Sequence, residues 1–291
     1  MGKIGGRIVK KIGFIDYYLD EWHANNYPAW IRENVQKQKK SIDVAYAWAE
    51  IDLEGGLNTE SWCEKYKIQS MSSIEELIEK SDYLIVLSPD HPEHHERLGR
   101  LALMSGKPVY MDKTFSPDLE TGKRMFELAE QYKTPLFSSS ALRFSKEFSQ
   151  YSNSREKIEY VATTGPGTYK NYSVHQFEMI VALMGVGAKR LKSVSTDHAN
   201  LLIIEYENGR QASYSQMSHA GFTANIQFND GEGVWVPECS NFFPKLIDSI
   251  LGFFETGIPP VPKKETLEIM SMIDAGKKAL NNRDTWIEID N

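Results

Sequence analysis

The feature that most constrains the fold is a regular alternation of short apolar runs with segments of helical spacing across the first half of the chain. The run at residues 83–87 (YLIVL) has no polar interruption, which is typical of a strand covered on both faces. Strands that alternate with helices in this way predict a doubly wound parallel α/β sheet. The predicted strands of this sheet lie at residues 12–15, 42–48, 83–87, 109–111 and 135–138.

The second half has a different pattern, in which short strands follow one another with turn residues between them. Asn208 and Gly209 lie between two such strands and are typical of a type I′ hairpin turn. This pattern predicts an α+β domain with a largely antiparallel sheet. Because Ser and charged residues cluster near residues 140–155, we place the first domain at residues 1–142 and the second at residues 143–291.

Composition excludes several classes of function. The 291 residues carry 33 Lys and Arg against 40 Asp and Glu, a formal net charge of −7, whereas binding to nucleic acid needs a positive surface. The two cysteines, Cys63 and Cys239, are too few for a disulfide framework or a four-cysteine zinc site. No apolar run approaches the roughly 18 residues that span a bilayer. We therefore expect a soluble, cytoplasmic protein that binds neither nucleic acid nor membrane.

Polar residues follow three of the predicted parallel strands. Residues 16–21 follow the first strand, residues 88–95 follow the strand at 83–87, and residues 112–114 follow the strand at 109–111. Ligands of open parallel sheets bind outside the carboxyl ends of the strands. These three segments are therefore the expected binding site.

Several segments of the chain occur in the order and spacing of a known family. They are residues 62–68 (WCEKYKI), 73–77 (SIEEL), 82–89 (DYLIVLSP), 106–113 (GKPVYMDK), 165–178 and 243–260. These segments resemble the Gfo/Idh/MocA oxidoreductases, the family of glucose-fructose oxidoreductase and inositol dehydrogenase. The resemblance implies a Rossmann-type nucleotide-binding domain, a second domain for substrate binding and oligomerisation, and NAD or NADP as the cofactor.

The first turn departs from this family. Family members have a G-x-G-x-x-G loop there, because glycine allows the tight turn and the close approach of the backbone to the pyrophosphate. Here the turn reads DYYLDEWH over residues 16–23 and contains no glycine. Tyr17 and Tyr18 would block the approach, and the neighbouring carboxylates would repel a dianion. The resemblance thus implies a dinucleotide, while this turn argues against its usual pose.

The resemblance implies two groups that handle protons. Lys113 stands where the family has the lysine of its E-K-P segment, near the hydroxyl that is oxidised, and Thr114 replaces the proline. His175 follows Asn171 by four residues, so both side chains are expected on one helix face. The family commonly has aspartate at this place, and Asn171 keeps the hydrogen bond but loses the charge that supports an imidazolium. The alternatives are a salt-bridged Lys113 and a structural His175 packed against Tyr172.

The resemblance also places residues around the cofactor and the substrate. Glu50, near the end of the second strand, is favoured as the ribose-binding carboxylate over Asp43 and Asp52; the alternative is a solvated loop carboxylate. Arg143 and Glu178 are expected at the substrate, although Arg143 could instead only tie the domains together. The predicted cofactor-binding residues are Asp16, Tyr17, Tyr18, Glu50, Ser88, Pro89, His94 and Asp112.

Three histidines, His91, His94 and His95, lie with Asp90 and Glu93 in one segment that suggests a metal site. Their spacing gives neither H-E-x-x-H nor H-x-x-E-H, so we predict polar residues at a helix start and no metal. His94 or His95 then corresponds to the histidine that follows the family's proline, near the cofactor.

Aromatic residues are concentrated around the first two strands, at Trp22, Tyr27, Trp30 and Trp48. Large aromatic side chains either fill a core or form a platform for a ligand, and we expect these to belong to the core. His23, which lies among them, receives no assigned role.

The main functional hypothesis is an NAD(P)-dependent oxidoreductase of a sugar, polyol or related secondary alcohol, in which Lys113 and His175 handle the proton during hydride transfer. A second hypothesis is a binding or regulatory protein on the same scaffold that has lost the dinucleotide. A third is a non-redox enzyme, such as a hydro-lyase or glycosidase, in the same pocket. An open antiparallel sheet in the second half has a face that needs a partner, so we expect a homodimer or homotetramer.

Overall fold

The computed structural model describes residues 3–4, 7–151 and 153–290, and it divides into two compact units. The first unit runs to Pro117 and includes Lys123–Ser138 and Ile247–Pro260. The second unit comprises Asp118–Gly122, Ser139–Leu246 and the chain from Val261 onward. The chain therefore crosses between the units several times, whereas the sequence suggested a single boundary.

The first unit contains a parallel sheet that has six strands within the described residues. Near the start of the chain, β1 (Lys3–Ile4) and β2 (Arg7–Ile8) form a separate antiparallel pair. The strands of the parallel sheet are β3 (Lys10–Asp16), β4 (Ile42–Ala49), β5 (Gln69–Ser70), β6 (Tyr83–Val86), β7 (Val109–Met111) and β8 (Leu136–Ser138). Their order across the sheet is β5-β4-β3-β6-β7-β8, as expected for a doubly wound α/β fold.

The strand order reverses between β3 and β6, because the chain builds the sheet outward from β3 in one direction and then from β6 in the other. This reversal opens a crevice outside the carboxyl ends of the two strands, which is where doubly wound sheets bind ligands. Residues 84–87 are fully buried, in agreement with the uninterrupted apolar run. The sheet thus places Asp16 and the segment after β6 side by side.

The helices alternate with these strands. The first helix begins at Trp22, because the Glu21 side chain caps the amide groups of its first turn. The third helix is capped by Ser73, whose side chain accepts from the amide of Glu76 at 3.2 Å. The helices are α1 (Trp22–Gln38), α2 (Thr59–Tyr66), α3 (Ile74–Lys80), α4 (His95–Leu103), α5 (Leu119–Gln131), α6 (Tyr169–Met184), α7 (Phe242–Thr256) and α8 (Lys263–Asn281).

The second unit contains a sheet with seven strands in the part of the chain that the structure describes. These strands are β9 (Ile158–Gly165), β10 (Ala188–Ser193), β11 (Asn200–Tyr206), β12 (Gln211–Gln216), β13 (Thr223–Phe228), β14 (Gly233–Val236) and β15 (Ile287–Glu288). All neighbours pair antiparallel except β9 and β12. Buried and more exposed residues alternate along the strands, and α6 and α8 contact the sheet.

The predicted hairpin between β11 and β12 forms, but its turn is not type I′. Of the two central residues only Gly209 has a positive φ, 82°, whereas type I′ requires it at both. The amide of Gly209 donates to the carbonyl of Tyr206, and the amide of Tyr206 donates to the carbonyl of Arg210. The loop is therefore the longer kind in which one left-handed glycine closes a wider turn.

None of the helices in the described parts of the chain is long and apolar enough to cross a membrane.

Candidate functional site

The crevice of the first unit is lined by the residues that follow β3, β6 and β7. Asp16 ends β3, Ser88 and Pro89 come just after β6, and Asp112 and Lys113 come just after β7. The parallel register of these strands therefore brings together at one edge most of the residues that the sequence placed at the cofactor. The interactions among them determine what this edge can bind.

Asp16 is a fully buried carboxyl group at the start of the first turn. Its Oδ1 accepts from the Tyr17 amide at 2.7 Å, while its Oδ2 is buried without a hydrogen-bond partner. Burial raises the pKa of Asp16 well above its ordinary value, and the nearby carboxylates of Glu21 and Asp112 raise it further. Ionisation of Asp16 is therefore less favourable than that of an exposed aspartate.

Glu21 caps α1 with its own side chain. Its carboxylate accepts from the amide of His23 at 2.7 Å and from the amide of Ala24. Burial raises the pKa of Glu21 to about 7, although the neighbouring His23 and the two amides lower it. The helix N-terminus, which is an anion site in dinucleotide-binding folds, is therefore already occupied by a carboxylate of the chain itself.

The side chains of His23 and Asp112 are in contact at the centre of this edge. Nδ1 of His23 contacts Oδ2 of Asp112, and both side chains are buried. Oδ1 of Asp112 accepts from the Lys113 amide at 2.7 Å and from the Tyr110 hydroxyl at 3.3 Å. Burial alone would raise the pKa of Asp112, but His23 and Lys113 outweigh it, so its pKa lies below the ordinary value. The imidazole ring stacks on Tyr27 with 5.2 Å between centroids.

Neither Glu21 nor His23 was assigned a role from the sequence. The cap of Glu21 depends on where α1 begins, and the partner of His23 lies 89 residues away on another strand. A local pattern contains neither fact. The one available hint was that three carboxylates and a histidine replace the glycines of the first turn.

Lys113 lies beside this cluster and is also buried. Its Nζ donates to the Pro89 carbonyl at 3.2 Å and to Oδ1 of Asp90 at 3.2 Å. The Asp90 side chain is 60% exposed, so this ion pair contributes little to stability and a ligand can replace the carboxylate.

The two tyrosines of the first turn contact the segment after β6. The Tyr18 hydroxyl is 3.2 Å from Nε2 of His91, and the Tyr17 ring lies 4.1 Å from the His94 ring. His95 is fully buried, with Nδ1 3.0 Å from the Phe115 carbonyl oxygen and Nε2 3.1 Å from that of Ser88. These contacts indicate a structural role for His95, whereas His94 lies nearer the surface.

Three side chains of this segment converge in a way that the sequence spacing did not suggest. The ligand atoms of His91, Glu93 and His94 all lie within 4.8 Å of one another. These groups could hold a metal ion, but the guanidinium of Arg97 lies 3.2 Å from Nδ1 of His94 and opposes a second cation there. Arg97 also pairs with Glu50, the predicted ribose-binding carboxylate.

The second unit holds a separate group of predicted site residues. Nδ1 of His175, on α6, lies 2.7 Å from the Ser140 hydroxyl. Its ring packs against Tyr172 and Phe222, with centroids 5.4 and 5.5 Å away. Asn171 lies one helical turn before His175 on the same helix. These contacts fix the orientation of the imidazole ring.

Arg143 lies in a buried ionic cluster of the second unit. Its guanidinium contacts Glu178 at 2.5 Å and Glu265 at 2.5 Å, and all three side chains are buried. Burial raises the pKa of Glu178 even though Arg143 lowers it, and Ser140 also donates its amide to this carboxylate at 3.0 Å. This arrangement favours a structural role for both residues, and their contact with a substrate stays a prediction.

The residues of the first turn do not fit the diphosphate of a dinucleotide in its usual pose. That pose needs free amides at the turn and at the start of the helix, and here the carboxylates of Asp16 and Glu21 accept from those amides. Two like unit charges about 4 Å apart repel by about 4 kcal/mol near a protein surface, so the ionised Asp112 adds a further cost. A bound dinucleotide would have to displace Glu21.

Comparisons with known proteins agree with the fold. Residues 35–139 match the Gfo/Idh/MocA family model, described as an oxidoreductase family with an NAD-binding Rossmann fold. YhhX of Escherichia coli (strain K12), an uncharacterized oxidoreductase, is 26% identical over 138 residues, which cover 40% of this chain and 40% of that protein. Myo-inositol 2-dehydrogenase from Lactobacillus plantarum is similar in structure, with a TM-score of 0.76 and 11% identity over 97% of this chain and 100% of that one. GenD2 from gentamicin A biosynthesis, solved in complex with NAD, has a TM-score of 0.73 and 9% identity and covers 100% of both chains.

These comparisons confirm the resemblance and the fold class that were inferred from the sequence. The match to the curated relative spans less than half of the length of that protein. Because the sequence identities to the solved structures are low, these structures support the fold and nothing more specific. The family match begins at residue 35, beyond the first turn and most of α1.

Proposed function

We propose that this chain, a member of the Gfo/Idh/MocA oxidoreductase family over residues 35–139, acts on a sugar, a polyol or a related secondary alcohol. The observation that supports this proposal is the position of Lys113, a buried lysine at the carboxyl end of β7 beside the topological switch point. A myo-inositol dehydrogenase has the same fold, which agrees with a hydroxyl-rich substrate.

In this proposal Lys113 binds the reacting hydroxyl and takes part in moving its proton. The contact between Nζ and the exposed Asp90 carboxylate is weak, so a substrate hydroxyl can take the place of that carboxylate while the Pro89 carbonyl keeps the side chain in position. His175 is the second proton-handling group. The Ser140 hydroxyl can donate to its Nδ1, which leaves Nε2 as the protonated nitrogen of the neutral ring.

NAD or NADP is the oxidant that the family membership suggests. Because the first turn does not fit the diphosphate in the usual pose, the proposal rests on the chain's own proton-handling residues and not on a pose for the cofactor. Both cysteines are free and buried, which agrees with the cytoplasmic location that we propose.

The test is a titration of the purified protein with NADH and with NADPH, followed by calorimetry and by nicotinamide fluorescence. Micromolar binding, together with reduction of NAD or NADP in the presence of a polyol, supports the oxidoreductase. No binding at millimolar nucleotide contradicts the redox reaction.

A second candidate, a non-redox binding or regulatory protein on the same scaffold, is favoured by one observation. Glu21 occupies the amides of α1 that a diphosphate would need. This candidate predicts that sugars or polyols bind while dinucleotides do not, so the same titrations distinguish the two functions.

A further inference from the structure

The first turn of α1 offers hydrogen-bond acceptors where related folds offer donors. The amides of His23 and Ala24 point to the Glu21 carboxylate, so they are not available to an anion. What a ligand meets at this place is the half-buried carboxyl group of Glu21 itself. A carboxylate accepts hydrogen bonds from hydroxyl groups, whereas a phosphate oxygen has no proton to give.

A buried polar atom in the same cluster lacks a partner. Oδ2 of Asp16 is buried and makes no hydrogen bond, and burial together with Glu21 and Asp112 raises the pKa of this carboxyl group. Orphaned buried polar atoms are rare and costly, so their presence at a crevice points to a missing ligand. A hydroxyl group suits this cluster because it can both donate and accept a hydrogen bond, whereas an anionic phosphate oxygen only accepts.

An exposed aromatic ring lies at the rim of the cluster. Trp22 is 54% exposed although its sequence neighbours are largely buried, and its ring lies edge-on to His23 with 5.4 Å between centroids. The sequence pattern placed Trp22 in the core, and the structure contradicts this. An apolar surface beside a few fixed polar groups is the usual composition of a small-molecule site.

We propose that the end of β3 and the first turn of α1 form a binding site for an uncharged, polyhydroxylated ligand in the place where dinucleotide enzymes hold a diphosphate. Glu21 and His23 contact the hydroxyl groups, and Trp22 covers an apolar face of the ligand. Asp112 is a positioning residue, since it holds the His23 ring through Nδ1. The inference uses the sugar or polyol substrate class of the proposed function, but it does not depend on a redox reaction.

The test is isothermal titration calorimetry of the full-length protein, without nucleotide, using myo-inositol, D-glucose and inorganic pyrophosphate as separate probes. We expect saturable binding of at least one polyol and no binding of pyrophosphate. The variants Trp22→Ala and Glu21→Gln each weaken polyol binding by about tenfold or more, as loss of a central contact does. The matched controls Tyr132→Ala, which removes an exposed ring of the first unit, and Glu33→Gln, on the exposed face of α1, leave the affinity unchanged.

Three results would overturn the proposal: neither polyol binds, pyrophosphate binds to the wild-type protein, or polyol binding survives both Trp22→Ala and Glu21→Gln. Trp22 is exposed, so its variant tests the site without altering the helix cap at Glu21. A failure of the oxidoreductase is a separate result, because it appears as absent dinucleotide binding or turnover in an assay that this titration does not include.

Discussion

Replacing Glu21 by Gln should make the protein more stable at alkaline pH, although it removes a charged helix cap. The pKa of Glu21 is about 7 in the folded chain and 4.5 when unperturbed, because folding buries the carboxyl group. Between these values the folded side chain keeps its proton and the unfolded one has lost it, so wild-type stability falls as the pH rises through this window. The two pKa values differ by about 2.5, which corresponds to about 3 kcal/mol.

The variant lacks this loss, because a Gln side chain does not ionise and its amide oxygen can still accept from the amides of His23 and Ala24. We therefore expect similar free energies of unfolding near pH 5, and a variant that is more stable by up to about 3 kcal/mol near pH 8. Urea unfolding followed by circular dichroism across this range measures the difference. The control Glu33→Gln removes a carboxylate that is exposed and paired with Lys37. Its difference from the wild type in free energy of unfolding should therefore not change with pH. A pH-independent difference for Glu21→Gln would refute the assigned burial of this carboxyl group.

Three further predictions concern other parts of the chain. Lys113→Ala should abolish any turnover of a polyol while the urea midpoint stays near the wild-type value, and retained turnover would reject its proton-handling role. Arg143→Ala should destabilise the second unit by roughly 3–5 kcal/mol in urea unfolding, since it leaves Glu178 and Glu265 buried without their cation, and a loss under about 1 kcal/mol would contradict this. Wild-type protein should sediment as a dimer or tetramer and Trp235→Asp as a smaller species, because Trp235 is 67% exposed on β14; a wild type that sediments as a monomer contradicts the expectation.

The parallel sheet could be predicted from the sequence because strands that are buried on both faces consist of uninterrupted apolar residues. The apolar run at residues 83–87 became β6, and the shorter runs around it became β3, β4, β7 and β8. Residues after these strands had to meet at one edge, whatever their side chains were. The positions of Asp16, Ser88 and Asp112 followed from topology alone.

The contacts among those residues could not be predicted in the same way. Pro28 lies inside α1, although proline is common at the first position of a helix, because the side chain of Glu21 already caps the helix before Trp22. Trp22 and His23 therefore lie at the start of the helix. Their partners, such as Asp112, come from distant strands and are fixed only by the packed structure.

In the second unit, the strands were predictable but their pairing was less so. Each strand has its own alternation of apolar and polar residues, and the turn at Asn208 and Gly209 joins β11 to β12 as expected. The strands β9 and β12 pair in parallel, although two other strands separate them in the chain. No turn motif between them predicts this pairing. Local patterns specify neighbours in sequence, and such a pair is set by the closing of the whole sheet.

The first turn, where the chain departs from the Gfo/Idh/MocA pattern, also holds a cluster of buried ionisable groups. The family match starts at residue 35, while the cluster of Asp16, Glu21 and His23 lies before it. The apolar pattern of the strands maintains the switch point, and the turn alone decides what that switch point binds. A glycine turn presents amides to an anion; this turn gives its amides to its own carboxylates and presents acceptors and an aromatic ring instead. The same fold is therefore compatible with the neutral, hydroxyl-rich ligand that we propose for this first turn in place of an anion.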